Sequence, residues 1–360
     1  MEKKRIAWMD NARALAILCV VLTHSVESNY YYVLTGSLDA CFSSWIFQTV
    51  VYFIGRLGVP FFLMLSGALL LGKKHEPLKF YRRSLLPLLL TSEIWILIYS
   101  ILSHVMFGDY LDLEFLIRQM LMLERTSFNH VWYLYMILGV YLCVPFLSAA
   151  VSGFSLKQLM PVLVTAFLAF FVFPLWNLFP EQVFPDAYYI YPWYDVSFLG
   201  GTYGLYLLAG YAVAHFNTSL RKLPSVAAAL LAILFCGLCV GLEYYFHTWN
   251  LSGADGILWY SSPLIFLCAL FLFELLRRIT KSCKAMMWLS KVSFSVYLLH
   301  NIFLQLFNLF CAETPWFYAC NIVLKTLLRF SVSLGGSLLV CGLFCLLPLP
   351  RLKKVLLYLR

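Results

Sequence analysis

The chain is a succession of apolar runs, each about the length that an α-helix needs to cross a bilayer, and few folds are compatible with that pattern. A membrane-spanning helix takes about 20 predominantly apolar residues. Ten stretches qualify: 6–27, 45–71, 84–107, 131–151, 159–177, 198–216, 225–246, 257–278, 291–311 and 318–347. They are long and unbroken, whereas a transmembrane β-barrel gives short alternating segments. The sequence therefore predicts an all-α polytopic integral membrane protein, a bundle of about ten helices forming one domain over 1–360. Composition agrees, with 62% hydrophobic and 12% charged residues, far from the roughly half apolar, quarter charged balance of soluble domains. No internal repeat or low-complexity linker interrupts the pattern. The apolar start at Ile6 runs too long for a cleavable signal peptide and has no small-residue cleavage site.

A net charge of +9 would suggest nucleic acid in a soluble chain. Here the basic residues fall on alternate connections, which is the positive-inside pattern. Lys3, Lys4 and Arg5, then Lys73, Lys74, Lys79, Arg82 and Arg83, then Lys157, Arg221 and Lys222 share one side. Arg277, Arg278, Lys281, Lys284 and Lys291, then Arg351, Lys353, Lys354 and Arg360 join them. The opposite connections hold only Arg118 and Arg125. Both termini are expected in the cytoplasm, and no nucleic-acid partner is implied.

The outer connections are aromatic. One, 28–44, contains Tyr30, Tyr31 and Tyr32. Another, 178–197, contains Glu181, Asp186, Tyr188, Tyr189, Tyr191, Trp193, Tyr194 and Asp195. Such residues serve as interfacial anchors or as a platform for a sugar or lipid headgroup. The 11 cysteines lie mostly in apolar runs, and Cys236 and Cys239 read as small apolar packing residues and not as a metal or redox pair.

Function is written in the polar residues that the spans tolerate. Arg13 and His24 lie in the first span, where a charged side chain at membrane depth costs about 2.5–3.5 kcal/mol. Eleven residues advance a helix by about three turns and about 16 Å, so the two share a face about half a bilayer apart. The alternative is an arginine snorkelling to one headgroup layer and a histidine at the other. In the second span Arg56 precedes Gly58 and Pro60, residues that break a membrane helix and need protein or water partners for the freed backbone. Arg56 is then inside the bundle, or near the outer headgroups of a kinked packing helix. Tyr81, Arg82 and Arg83 open the third span; they hold topology or greet anionic lipid, or they grip a nucleotide's phosphates and stack its base. Glu93, about three turns further in, is a candidate partner for a buried arginine. His130, Trp132 and Tyr133 open the fourth span, and Tyr297 and His300 lie in the ninth. Each histidine alone is unremarkable, but with Arg13, His24 and Arg56 they imply an internal cavity.

These residues sit in a recognisable order. The first span reads Asp10-Asn-Ala-Arg13, then ten residues to His24. Val-Pro-Phe-Phe-x3-Ser-Gly follows at 59–67, Phe-Tyr-Arg-Arg-x3-Pro at 80–87, His-x-Trp-Tyr-Leu at 130–134 and Ser-x-Tyr-Leu-x-His at 295–300. Over nearly its whole length the chain resembles membrane acyltransferases of the acyltransferase-3 family, which modify sugars of cell-surface glycans and lipids. It differs from larger relatives in lacking an appended extracytoplasmic hydrolase-like domain.

The resemblance implies a multi-pass protein of the bacterial cytoplasmic membrane. Its donor would be acyl-CoA, with acetyl the expected cargo, and its acceptor a hydroxyl (or an amine) of a glycan or lipid-linked sugar. His24 becomes general base or transient acyl-histidine nucleophile, and Arg13 orients the donor. Tyr81, Arg82, Arg83 and Arg56 fall to acyl-CoA binding. Asp10, Ser66, Glu93, His130, Trp132, Tyr133, Tyr297 and His300 fall to support or the acceptor side. No metal is required. A pantetheine arm is of the order of the Arg13–His24 rise, so a cytoplasmic donor can reach a site near the outer face. Two other readings fit the topology: a transporter or flippase of an anionic envelope precursor, and a structural membrane scaffold. The scaffold leaves the internal ionisable residues unexplained.

Overall fold

A computed structural model describes residues 6–34, 42–179, 188–191, 197, 200–216, 218–249, 251, 253–348 and 355–358, with side chains omitted for 28–34, 254 and 255. Their regular secondary structure is all helical, with no strand among the described residues. The helices, in order, are α1 (Ala7–Leu34), α2 (Phe42–Arg56), α3 (Gly58–Leu70), α4 (Leu86–Phe107), α5 (Leu113–Met120) and α6 (Trp132–Val151). They continue with α7 (Leu156–Phe167), α8 (Gly201–His215), α9 (Ser225–Thr248), α10 (Pro263–Arg277), α11 (Lys284–Cys311) and α12 (Ile322–Leu346).

Eight helical stretches are long and apolar enough to cross a membrane: Ala7–Glu27, Phe42–Leu70, Pro77–Phe107, Asn129–Val151, Leu156–Trp176, Ser225–Thr248, Lys284–Cys311 and Ile322–Leu346. The protein is thus multi-pass. The other two expected spans, 198–216 and 257–278, contain helices of only 15 residues each, α8 and α10. At 1.5 Å per residue each covers about 22 Å, less than a hydrocarbon core of about 30 Å. Both begin late for local reasons. Gly200 and Gly201 hold φ of 89° and 58°, a left-handed start that glycine adopts without strain. Pro263 opens α10, and the residues before it make a turn, with the Ser262 N–H donating to the Trp259 carbonyl at 2.9 Å. At the other connection α1 is longer than expected and runs on to Leu34. Of the aromatic outer residues, Tyr188, Tyr189 and Tyr191 are exposed. The side chains of Tyr30, Tyr31 and Tyr32, and all of Glu181, Asp186, Trp193, Tyr194 and Asp195, lie outside the described residues.

Burial sorts the spans into centre and rim. In the apolar stretches of Ala7–Glu27 and Phe42–Leu70, 67% and 72% of positions are buried, against 11% in Leu156–Trp176 and 22% in Ser225–Thr248 and Ile322–Leu346. The first two spans therefore form the axis, and α7, α9 and α12 present their apolar sides to lipid. α1 packs against α2, α3, α10, α11 and α12. The tightest approach is α3 on α8: a Cβ on Gly67 would strike the Leu207 carbonyl, and one on Gly210 would strike the Met64 backbone. Small residues at such crossings let helix backbones meet in membranes. Cys239 is buried, with its Sγ on the Ile257 carbonyl (3.4 Å), and every described cysteine is a free thiol.

Candidate active site

Two proline residues cut the helices that build the site. Pro60 has no N–H for the Arg56 carbonyl four residues back, so the ladder opens at Arg56 and separates α2 from α3. Pro87 likewise cannot donate to the Arg83 carbonyl, and the Leu86 N–H reaches back to Tyr81 instead, which makes Tyr81–Leu85 a π-helical turn.

Two cavities among the described residues lie beside the polar ends of the α1 face. The first, about 330 Å³, is lined by His24, Glu27, Arg56, His130, Trp259 and Tyr260 among others. His24 is the candidate reactive residue in it. The His24 Nδ1 lies 2.7 Å from Glu27 Oε2, so the carboxylate accepts a hydrogen bond from Nδ1–H and Nε2 is left as the acceptor that faces the cavity. Two more histidines stand nearby, with ring centroids 6.1 Å (His130) and 5.3 Å (His300) from His24. Their hydrogen bonds fix their roles. The Tyr99 hydroxyl donates to the Leu298 carbonyl, so His130 Nε2, 3.0 Å from that oxygen, must be a donor. His300 directs Nδ1 to the Tyr297 carbonyl at 2.7 Å. Both rings are buried, whereas the His24 side chain is 14% exposed. Of the three, His24 is the ring that is not fully buried. Tyr297 donates to the His130 carbonyl at 2.7 Å and so ties α11 to α6.

Arg56 lines this same cavity. Its guanidinium donates to the hydroxyls of Tyr260 (3.2 Å) and Tyr52. It also sits 4.5, 4.7 and 5.1 Å from the ring centroids of Tyr52, Trp259 and Tyr260, within cation–π range. The turn ahead of α10 supplies two of those rings, and the Tyr206 hydroxyl holds it by donating to the Tyr260 carbonyl at 2.9 Å. The two short helices are thus short at the end that builds the cavity. Trp132 stacks into the cluster, 5.4 Å from Tyr260 and 5.8 Å from Tyr203.

The second cavity, about 510 Å³, contains Arg13, Ser66, Ser84, Ser290, Lys291 and Ser293 among its lining. Arg13 donates to Ser290 Oγ at 3.2 Å, and Ser290 in turn donates to Asp10 Oδ1 at 2.8 Å. The arginine itself stands 4.0 Å from that oxygen and stays 31% exposed. Residues 355–358 close the edge: the Leu356 carbonyl accepts from Trp95, the Leu357 carbonyl from Ser295, and Tyr358 lines the cavity. Phe62 and Tyr133 line both cavities, with ring centroids 6.3 Å apart. Two aromatic rings are the wall between the His24 and Arg13 chambers.

Other expected residues fall elsewhere. Arg82 and Arg83 are exposed and line neither chamber, although Ser84 beside them lines the second. Tyr81 donates to the Leu142 carbonyl at 2.9 Å. Glu93 has a buried Oε2 without a hydrogen-bond partner and makes an ion pair with no arginine among the described residues. Ser66 donates to the Phe62 carbonyl and lines the second chamber. No group of three or more metal-ligating side chains occurs among the described residues.

The family model described as an acyltransferase domain matches residues 6–346, almost the whole chain, and thereby spans both chambers and the wall between them. The chain belongs to the acyltransferase-3 family. No curated protein and no solved structure matches it significantly. Within this acyltransferase-3 domain, the residues that sequence reasoning missed are Glu27, Tyr52, Tyr203, Trp259, Tyr260, Ser290 and Lys291. Glu27 had a signal, since His24 and Glu27 at i, i+3 share a helix face. Tyr52 and Arg56 at i, i+4 had one too. Trp259 and Tyr260 had a weak one, Ser261-Ser262-Pro263 just after them, which marks a helix start but lies inside an apolar run that reads as one span.

Proposed function

We propose that this membrane acyltransferase moves an acyl group, acetyl in the simplest case, from cytoplasmic acyl-CoA to a hydroxyl of an extracytoplasmic or lipid-linked envelope sugar. It would act in a bacterial cytoplasmic membrane. The observation that carries the reading is the His24–Glu27 pair in one chamber, with a second chamber directly behind an aromatic wall. Acyl-CoA enters on the Arg13 side, where Arg13 and Lys291 meet its anionic groups and the exposed Arg82 and Arg83 take its outer phosphates. The pantetheine arm carries the thioester past Phe62 and Tyr133 towards His24, a rise of about 16 Å.

In the His24 chamber the acceptor hydroxyl gives its proton to His24 Nε2 as its oxygen attacks the thioester carbonyl carbon. The tetrahedral oxyanion collapses, the carbon–sulfur bond breaks, and the departing thiolate takes the proton back from His24. An ester and free CoA result. Glu27 keeps the imidazole in the tautomer that can accept a proton and stabilises the imidazolium that forms, the role an acidic partner plays beside a catalytic histidine.

Purified protein supplied with labelled acetyl-CoA and a bacterial envelope glycan fraction tests this. Thiol release and label transfer should occur in the wild type and fall by about 10²–10⁴-fold in His24→Ala. A normally folded His24→Ala protein that keeps activity within threefold of wild type removes His24 from the chemistry. Acceptor binding without any turnover in the wild type favours the transporter reading.

A further inference from the structure

The Arg56 cage carries an inference about which acceptor the chamber takes; it rests on the reading of the His24 chamber as the acceptor site. Arginine stays protonated in proteins, and this one is 5% exposed. Burying an ionised group is costly unless an opposite charge completes it. Yet no carboxylate of the described residues makes an ion pair with Arg56. Glu27 shares the chamber and acts on Arg56 through space, but its close contact is with His24. The neighbours that do touch the guanidinium, two phenol hydroxyls and three aromatic faces, stabilise a cation without neutralising it. Its buried Nε–H has no partner at all. A second arginine, Arg125, is exposed on the lining of the same chamber, whereas Glu27 is the one acidic residue there.

Around these charges stand Trp132, Tyr203, Trp259 and Tyr260, whose ring centroids are 5.3–6.3 Å apart in successive contacts. Aromatic faces of this kind take the apolar C–H side of a sugar ring, and a forked guanidinium takes a carboxylate or a phosphate. We infer that the acceptor is an anionic sugar, a sugar acid or a phosphorylated sugar, whose charged group docks on Arg56 while a nearby hydroxyl faces His24. Arg125 at the exposed edge draws the same charge in. A neutral sugar would leave the buried Arg56 charge with only the more distant Glu27 carboxylate, itself bound by His24, as counter-charge.

Binding and turnover test this separately. The two chamber tryptophans, Trp132 and Trp259, report occupancy by fluorescence without any donor present. The probes are methyl glucoside, methyl glucuronide and glucose 1-phosphate, titrated into the full-length protein in nanodiscs. One or both anions should saturate the quenching at a concentration at least about tenfold below the glucoside, the effect of one charged hydrogen bond; which anion does so tells carboxylate from phosphate. The preference should fall to near unity in Arg56→Gln and survive in part in Arg56→Lys, which retains the charge and serves if the glutamine variant fails to fold. Replacing Trp259 by Phe should remove part of the signal. Anions that bind no better than the glucoside, or no saturable quenching by either anion, overturn the inference. So does an Arg56→Gln protein that weakens all three probes equally, since that marks a structural role. Absent turnover with acetyl-CoA would sink the transferase reading and leave this binding result standing.

Discussion

At the residue scale the proposed chemistry comes down to one histidine and the carboxylate one helical turn beyond it. Arg13 and His24 were legible because ionisable groups inside an apolar run demand an explanation, and the 11-residue spacing puts them on one face. Their partners were less so. Glu27 reads from sequence as an ordinary charge at the outer end of a span, and only the structure shows its carboxylate on His24 Nδ1 at 2.7 Å. Arg56 groups naturally with Tyr81, Arg82 and Arg83 as a phosphate gripper, because sequence gives no measure of depth; the structure stands it in the His24 chamber with Tyr52 and Tyr260. If Glu27 orients His24, Glu27→Gln should cut kcat by at least about tenfold and leave the donor KM near wild type. Steady-state kinetics on the folded variant checks this, and an unchanged kcat would reduce the pair to packing.

Elements explain why the chamber is where it is. The helical runs themselves were plain, because a run of about 20 apolar residues has few alternatives. Their interruptions were partly plain: Pro60 and Gly58 announced the break at Arg56, and it occurs there. The late starts of α8 and α10 had only short signals, Gly200-Gly201 and Ser262-Pro263, which the long apolar runs around them outweigh. What fixes these elements together is close contact at small residues, above all Gly67 and Gly210 between α3 and α8. Gly210→Val places a side chain into the Met64 backbone and should destabilise the bundle by about 1–3 kcal/mol or more, as overpacking does. Gly237→Ala on lipid-facing α9, where an added Cβ meets nothing within 4 Å, should be neutral or slightly stabilising. Thermal unfolding of both in the same detergent decides it. Equal midpoints would show that the α3–α8 crossing can relax.

For the whole molecule, the distribution of basic residues and the two chambers point the same way. Arg13, Lys291 and Ser84 line a chamber at the end where Lys73, Lys74, Lys79, Arg82, Arg83, Lys281 and Lys284 cluster in sequence, and the Asn11 amide donates to the Lys281 carbonyl at 2.8 Å. His24 and Arg125 line the other. Two chambers back to back across a wall of Phe62 and Tyr133 suit the proposal that the two substrates arrive from opposite sides. The decisive measurement is therefore sidedness, in sealed vesicles of known orientation with labelled acetyl-CoA and a water-soluble acceptor. Product should form only when acetyl-CoA is on the face that carries Arg82 and Arg83 and the acceptor is on the opposite face. Acceptor added to the acetyl-CoA side should give product only after the membrane is permeabilised. Efficient transfer with both substrates on one face of an intact vesicle would contradict a donor threaded through the bundle to His24.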